Sequence, residues 1–272
     1  MMRRLTAPGW AGLLLVGAVV AMALVSLAWT PHDPLAVSPD HRLEGSSAHH
    51  LLGTDRFGRD VLSRVMVGSQ ITLLVGLVSV GISLALGVPL GLWAALRGGI
   101  VQAAVMRGAD LLLAFPALLL AILAGAIFGP STWSAMVAIG IAGVPGFLRV
   151  TRAGALQVLT QDYIAAARIA GRGNPALAVV HVLPNIATTL IVQCSVAFAL
   201  AILAEAALSF LGLGTPPPEA SWGRMLGDAQ ASLASAPHLA LWPGAAVALT
   251  VLGFNLLGDG LRDALDPRER RA

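Results

Sequence analysis

The chain has 272 residues, 57% of them hydrophobic and only 11% charged, with a formal net charge of +3 at pH 7. That is too little polar surface to clothe a water-soluble globule of this size, so the chain belongs in a bilayer. All 17 basic residues are arginines set around apolar blocks with no basic or aromatic stripe between them, which argues against nucleic acid, and the single cysteine, Cys194, allows no internal disulfide or thiolate metal cluster.

Trp10 to Thr30 is uncharged, about one bilayer thick, and bracketed by Trp10 and Trp29, where an interfacial aromatic ring is expected. A cleaved signal would have a shorter apolar block and small residues at its end, but Pro31, His32 and Asp33 follow, so a retained anchor is expected. Pro31 to Ser69 is polar and reads as an external segment. Within it, Gly58 to Gly68 sets Val61, Leu62, Val65 and Met66 at helical spacing opposite Arg59, Asp60 and Arg64, which predicts an amphipathic helix, either lying on the membrane surface or an ordinary loop helix. His32, His41, His49 and His50 fit no compact ligand spacing and read as solvated loop residues, with no metal expected.

Five further spans are predicted at Ile71 to Leu96, Leu111 to Phe128, Thr132 to Leu148, Ile186 to Ala204 and Leu239 to Gly258, each free of Asp, Glu and Arg. They are too long and too uniform for barrel strands, so the expected class is all-α with six transmembrane helices. Gly76, Gly81, Gly87 and Gly91, with Ser79 and Ser83, predict close helix packing in the second span, and Pro89, Pro116, Pro145, Pro184 and Pro243 mark places to kink. Asp110 is expected to pair with Arg107, three residues earlier. Glu205 stands one residue past the fifth span and is expected to reach the interface as a structural or gating contact.

A cytoplasmic N-terminus puts 12 of the 17 arginines inside, among them Arg3, Arg4, Arg268, Arg270 and Arg271. The other 5, Arg42, Arg56, Arg59, Arg64 and Arg224, fall outside, and this bias predicts that both termini are cytoplasmic. The second external segment, Leu213 to Pro237, is again rich in Pro, Gly and Ser. The expected division is an N-terminal anchor and external segment over 1–69, then a transmembrane domain over 70–272 with an internal loop at 149–176.

That internal loop holds a short Ala-rich helix, Asp162 to Ala170, followed by Gly171, Gly173, Asn174 and Pro175. Glycine just past the last turn permits a left-handed cap and Pro175 blocks continuation, so the helix is a compact knob. Ala165, Ala166 and Ala167 would let a partner backbone approach closely.

Without lysine there is no G-x-x-x-x-G-K-[ST] loop, so ATP cannot be bound here in that manner, and no catalytic residue is assigned. A self-sufficient secondary transporter should carry ion-coupling carboxylates within its spans, and the predicted spans contain none. An intramembrane hydrolase would need a nucleophile and base at depth, and no such pair is present.

The run Ala165, Ala166, Ala167, then Gly171, then Leu183 and Pro184 resembles the EAA loop of permeases in ATP-binding-cassette importers. Asp162, Tyr163, Arg168 and the segment His181 to Asn185 match its peptide-transporter version, although the family's usual glutamate falls at Ala165. Leu52 to Arg64, Leu208 to Gly214, Pro217-Pro218, Ser221 to Gly223, Phe254 to Asp263 and Leu265 to Arg268 are similar to blocks of dipeptide, oligopeptide and nickel permeases, as in the C-type partner of a two-permease pair. Gln70 and Thr72 depart from that pattern.

The resemblance implies the type I importer fold in the cytoplasmic membrane and ATP-driven import of peptides, with nickel, haem or another small solute as alternative cargo. It implies three kinds of partner besides lipid: a second homologous permease, one or two ATPase subunits or domains carrying ATP and Mg, and an extracytoplasmic binding protein. The family's coupling helix corresponds to Asp162, Tyr163, Ala165, Ala166, Ala167, Arg168 and Gly171, with gating or external contacts expected at Glu205, Arg59, Asp60 and Trp222.

Overall fold

The computed structural model describes residues 5–265; Arg3, Arg4, Asp266, Pro267, Arg268, Arg270 and Arg271, used above for topology and for the closing motif, lie outside them. The described chain is a helical bundle. In order it comprises α1 (Ala7–Ala28), α2 (Val61–Arg97), α3 (Gly99–Leu113), α4 (Ala117–Phe128), α5 (Thr132–Leu159), α6 (Asp162–Ile169), α7 (Asn174–Ala176), a π-helical stretch Leu177–Val182, α8 (Leu183–Phe210), α9 (Trp222–Ala229) and α10 (His238–Leu265). Five helical stretches are long and apolar enough to cross a membrane, and the bent pair α3–α4 makes a sixth crossing. Alternating direction then puts both described ends of the chain at the α6 end, and the 29–60 and 211–237 segments at the other.

The predicted surface helix at Gly58 to Gly68 is absent as a separate element. Residues from Val61 onward are the first turns of α2, which runs unbroken across the 69/70 division expected from sequence. The Asp60 side chain accepts from the Ser63 N–H and caps the first turn, and nothing before Gly98 breaks the helix. At 37 residues α2 is about 55 Å long, well over the bilayer core, so its head projects into the polar end of the molecule. There it is buried on both faces: Arg64, assigned to the solvent side, is only 2% exposed.

The third span also differs from expectation. Instead of one helix over Leu111 to Phe128, α3 and α4 meet at 79°. Pro116 has no N–H to donate and disfavours helical backbone at Phe115, so the chain turns at this point. Pro89, Pro145 and Pro243 lie within continuous helices. The fourth span overruns its expected end, and α5 carries Arg149 to Leu159 as helix, so much of the predicted internal loop is a rigid extension toward α6.

Small residues close the main seams, as lipid offers no hydrophobic drive to bring helices together. Along α2 and α5, Ser79 Oγ donates to the Met136 carbonyl at 2.9 Å and Ser83 Oγ to that of Gly140 at 2.6 Å. A Cβ on Gly87 or Gly91 would lie 2.8 Å from the Val144 carbonyl oxygen or 2.6 Å from that of Leu148. Gly76 packs against the Phe198 ring, which stacks on Phe254 with centroids 4.1 Å apart, whereas Gly81 faces open space and takes no part in packing. A second seam joins α1 to α10 through Gly9, Gly12, Gly253 and Gly260, which lets the two backbones nearly touch.

This second seam can be tested on one helix. Gly12→Val would drive a side chain into the backbone of α10, 2.8 Å from the Gly253 carbonyl oxygen, whereas Gly17→Val has nothing within 4 Å. Thermal unfolding in detergent should show Gly12→Val destabilised by about 1–3 kcal/mol and Gly17→Val within about 0.5 kcal/mol of the parent.

Candidate functional site

At one end of the bundle α6 forms the knob. Ile164 is fully buried and anchors it, while Asp162, Tyr163, Ala165, Ala166 and Arg168 are exposed and Ala167 is half-buried. Beyond them Ile169 is 89% exposed, so the outward surface mixes small and apolar side chains around one arginine. Gly171 has φ of 82°, the left-handed backbone expected of it. The Gly171 N–H donates to the Arg168 carbonyl and the Arg172 N–H to that of Ala167, both at 3.0 Å, which is a Schellman cap.

Past the cap the chain enters a π-helical stretch that sequence reasoning missed. Pro184 follows at the start of α8, and in a regular helix its ring would strike the carbonyl four residues back. The wider turn relieves that clash, and Asn185 Nδ2 donates to the His181 carbonyl at 2.6 Å. Pro184 and Asn185 were the signal. Asp110 likewise takes a different partner from the one expected: Arg149 of α5, at 2.5 Å, instead of Arg107. That pair is about half exposed and ties α3 to α5.

The opposite end is a polar head. Asp55 accepts from Arg59 Nε at 2.6 Å and lies 3.8 Å from Arg64 Nε, while Asp228 of α9 meets Arg56, Arg224 and Arg59 at 3.2, 3.5 and 3.9 Å. Trp222 is fully buried, its indole N–H donating to the Val65 carbonyl at 2.9 Å, with Gly68 leaving room for the ring. Arg59, Asp60 and Trp222 therefore spend their polar atoms inside the chain, joining the 31–60 segment and α9 to the head of α2.

Glu205 does not stand past the end of its span. It lies within α8, is 1% exposed, and accepts from Ser209 Oγ at 2.6 Å, the same hydroxyl oxygen accepting from the Thr215 N–H at 3.0 Å. Through Ser209 the carboxylate is tied to the 211–221 turn, at the root of the hairpin that presents α9. The span boundary drawn from hydropathy stopped at the charge, but the helix continues past it, and Ser209 one turn on donates to the buried carboxylate.

The histidines also differ from their reading as separate loop residues. His50 Nδ1 is 2.9 Å from Asp60 Oδ1, and His32 Nδ1 is 3.6 Å from the same oxygen. Burial alone would raise the Asp60 carboxyl, but hydrogen bonds from the Ser63 N–H, the His50 ring and the Ser63 hydroxyl, with His32 nearby, outweigh it and hold Asp60 below the usual carboxylate value.

Between the ends, a groove of about 230 Å³ opens among α2, α5, α8 and the α3–α4 bend. Ser79 and Ser83 border it but turn their hydroxyls to α5, which leaves Gln193 as its side-chain amide amid apolar lining.

Comparison with known proteins places this geometry. Residues 87–271 match the family model described as binding-protein-dependent transport system inner membrane component. The chain is 44% identical to the di/tripeptide transport system permease protein DppC of Pseudomonas aeruginosa over 96% of its length and 88% of that protein. It is 46% identical to the dipeptide transport system permease protein DppC of Escherichia coli K12, over 94% and 88%. In fold it is similar to a chain of the MetNI methionine ABC transporter in an inward-facing conformation, with TM-score 0.62 and 17% identity over 75% of this chain and 96% of that one.

The head's ion pairs differ from the Asp110 pair in burial, which sets an expected contrast. Asp55→Asn leaves Arg59 and Arg64, 10% and 2% exposed, without their nearest counter-charge and should cost roughly 3 kcal/mol. Asp110→Asn, in a half-exposed pair, should cost no more than about 1 kcal/mol. Chemical or thermal unfolding of the two variants in the same detergent measures the difference.

Proposed function

Because this chain belongs to the family of binding-protein-dependent transport system inner membrane components, we propose that it is a permease subunit of an ATP-binding-cassette importer that carries short peptides across the cytoplasmic membrane. The substrate reading is supported by relatives named for dipeptide and di/tripeptide transport that align over nearly the whole chain. In this reading a second, homologous permease completes the path and an extracytoplasmic binding protein delivers the peptide. ATP and Mg are held by one or two partner ATPase subunits or domains, since this chain has no lysine with which to build a phosphate-binding loop.

The observation that carries the proposal is α6. It is a helix of eight residues fixed by one buried isoleucine and a glycine cap, with alanines, Tyr163 and Ile169 turned outward. Such a knob suits an apolar groove on an ATPase. The absent glutamate at Ala165 is then offset by the apolar surface of Tyr163 and Ile169, so the contact rests on shape and burial more than on charge. Because α6 lies between α5 and the π stretch leading to α8, a displacement of the knob is passed to both helices. ATP and a loaded binding protein favour import by favouring the same conformer.

Orientation follows from the arginine bias, which puts α6 and both chain ends in the cytoplasm. In a Cys194→Ala background, an impermeant thiol reagent added to spheroplasts should label Gly45→Cys and leave Arg172→Cys unlabelled. The reverse pattern would overturn the orientation.

Two variants test the coupling. Gly171→Val puts a β-branched residue at φ of 82°, costing about 1–2 kcal/mol locally, and Ala166→Trp adds bulk to the exposed face. Both should insert normally in the membrane yet lose labelled-dipeptide uptake and ATPase capture in pull-downs. Gly45→Trp, at a site with nothing within 4 Å, should transport nearly as the parent does. Normal uptake and ATPase retention in both α6 variants would make the knob a mere connector.

A further inference from the structure

His32, His50 and Asp60 come from three separate turns of the polar head, yet each offers one ligand atom within 4.8 Å of the others. We propose that they form a binding site for one divalent transition-metal ion of the zinc type. The inference does not depend on what the chain transports or on which side of the membrane the head lies.

The spacing is the first argument. Ligands at about 2.1 Å from a metal stand about 3.0 Å apart in octahedral and about 3.4 Å apart in tetrahedral geometry. The two measured separations from Asp60 Oδ1, 2.9 Å to His50 and 3.6 Å to His32, bracket that range. A hydrogen bond accounts for the first, but the second is too long for one. Among the described residues the His32 ring makes no hydrogen bond, and it packs against the His50 ring with centroids 4.6 Å apart.

The second argument is how firmly each ligand is held by atoms that would not touch the metal. His32 is fixed through its backbone: its N–H donates to Ser63 Oγ at 3.0 Å and its carbonyl accepts from Thr30 Oγ1 at 2.8 Å. His50 is fixed in the same way, its N–H donating to Ser47 Oγ and its carbonyl accepting from the Ser47 and Gly53 N–H groups. Asp60 is oriented through its other oxygen, Oδ2, which accepts from the Ser63 N–H at 2.8 Å and hydroxyl at 2.7 Å. Oδ1 is thereby turned toward the two imidazoles. Outer contacts of this kind are what align ligands in a metal site.

The donor set selects the ion. Two imidazoles and one carboxylate suit Zn(II), Co(II) or Ni(II), whereas calcium and magnesium require mostly oxygen. Access is adequate, since the His32 side chain is 40% exposed while those of His50 and Asp60 are 14% and 1%, so a fourth position is open to water. A bound ion would cross-link the 31–60 segment to the first turn of α2.

The test uses the full chain in detergent, without a polyhistidine tag and after chelator treatment. Zinc binding is measured at pH 7.5 by competition with a chromophoric chelator, and Co(II) is followed by its visible absorption. One ion per chain is expected, with affinity weakened at least about tenfold in His32→Gln and in His50→Gln and the Co(II) bands lost, because each variant removes one of three ligands. His49→Gln should bind as the parent does. His32→Gln keeps the backbone anchors of residue 32, so its metal-free unfolding temperature should match the parent's and separate loss of a ligand from loss of fold. Failure of the parent to bind zinc at micromolar concentration overturns the proposal, as does undiminished binding in both histidine variants.

Discussion

The Asp60 carboxylate starts the helix on which the rest of the bundle is assembled. One oxygen caps α2 through Ser63, and the other faces His32 and His50, so a single side chain joins the longest helix to the segment that leads into it. From that cap α2 packs against α1, α5, α8 and α10. Its head is gripped by Trp222 and the arginines around Asp55 and Asp228, its middle by hydroxyl bonds to α5, and its far end stops at Gly98 with φ of 63°. Register at the cap therefore sets register along the seam.

A second constraint is the lack of water along the spans. A polar group buried there is best satisfied by a partner within the protein, because the cost of leaving one alone exceeds a typical net hydrogen bond; among the described residues, Thr151 Oγ1 of α5 and Trp242 Nε1 of α10 are buried without one. The serines of α2 meet this by donating to carbonyls of α5. Glu205 meets it through the Ser209 hydroxyl, which also accepts from the Thr215 N–H and so holds the start of the turn into α9. Trp222 and Asp228 then reach the head of α2 from a helix of only eight residues. Two polar ends of one fold thus have different characters: the head is cross-linked by charge and indole, while the knob stands out on one isoleucine and a glycine cap.

Much of this was legible in the sequence. Long uncharged blocks have no stable alternative to helix in a bilayer, so the number of crossings followed directly, and the cap at Gly171 was visible because only glycine suits the backbone there. Boundaries were less legible, because hydropathy ends at the first charge whereas a helix ends only where its backbone is interrupted; hence α2 starts at Val61, α5 runs to Leu159, and Glu205 lies inside α8. Partner identity was hidden for a different reason. Asp110 with Arg149, and His32 with His50, are brought together by tertiary folding across long stretches of chain, and no local spacing encodes that. Pro184 with Asn185 did carry a local signal of the π stretch, although Pro89, Pro145 and Pro243 sit in continuous α-helix, so a proline alone does not specify it.

The seam between α2 and α5 has a mechanical consequence. Sliding one helix along the other by half a turn, about 2.7 Å, would part both serine hydroxyls from their carbonyls and bring side chains against Gly87 and Gly91. The seam therefore opposes small slides of one helix along the other. α6 follows the far end of α5 and the Asp60 cap starts α2, so this one seam spans the distance between the knob and the polar head, with the bent α3–α4 pair alongside it.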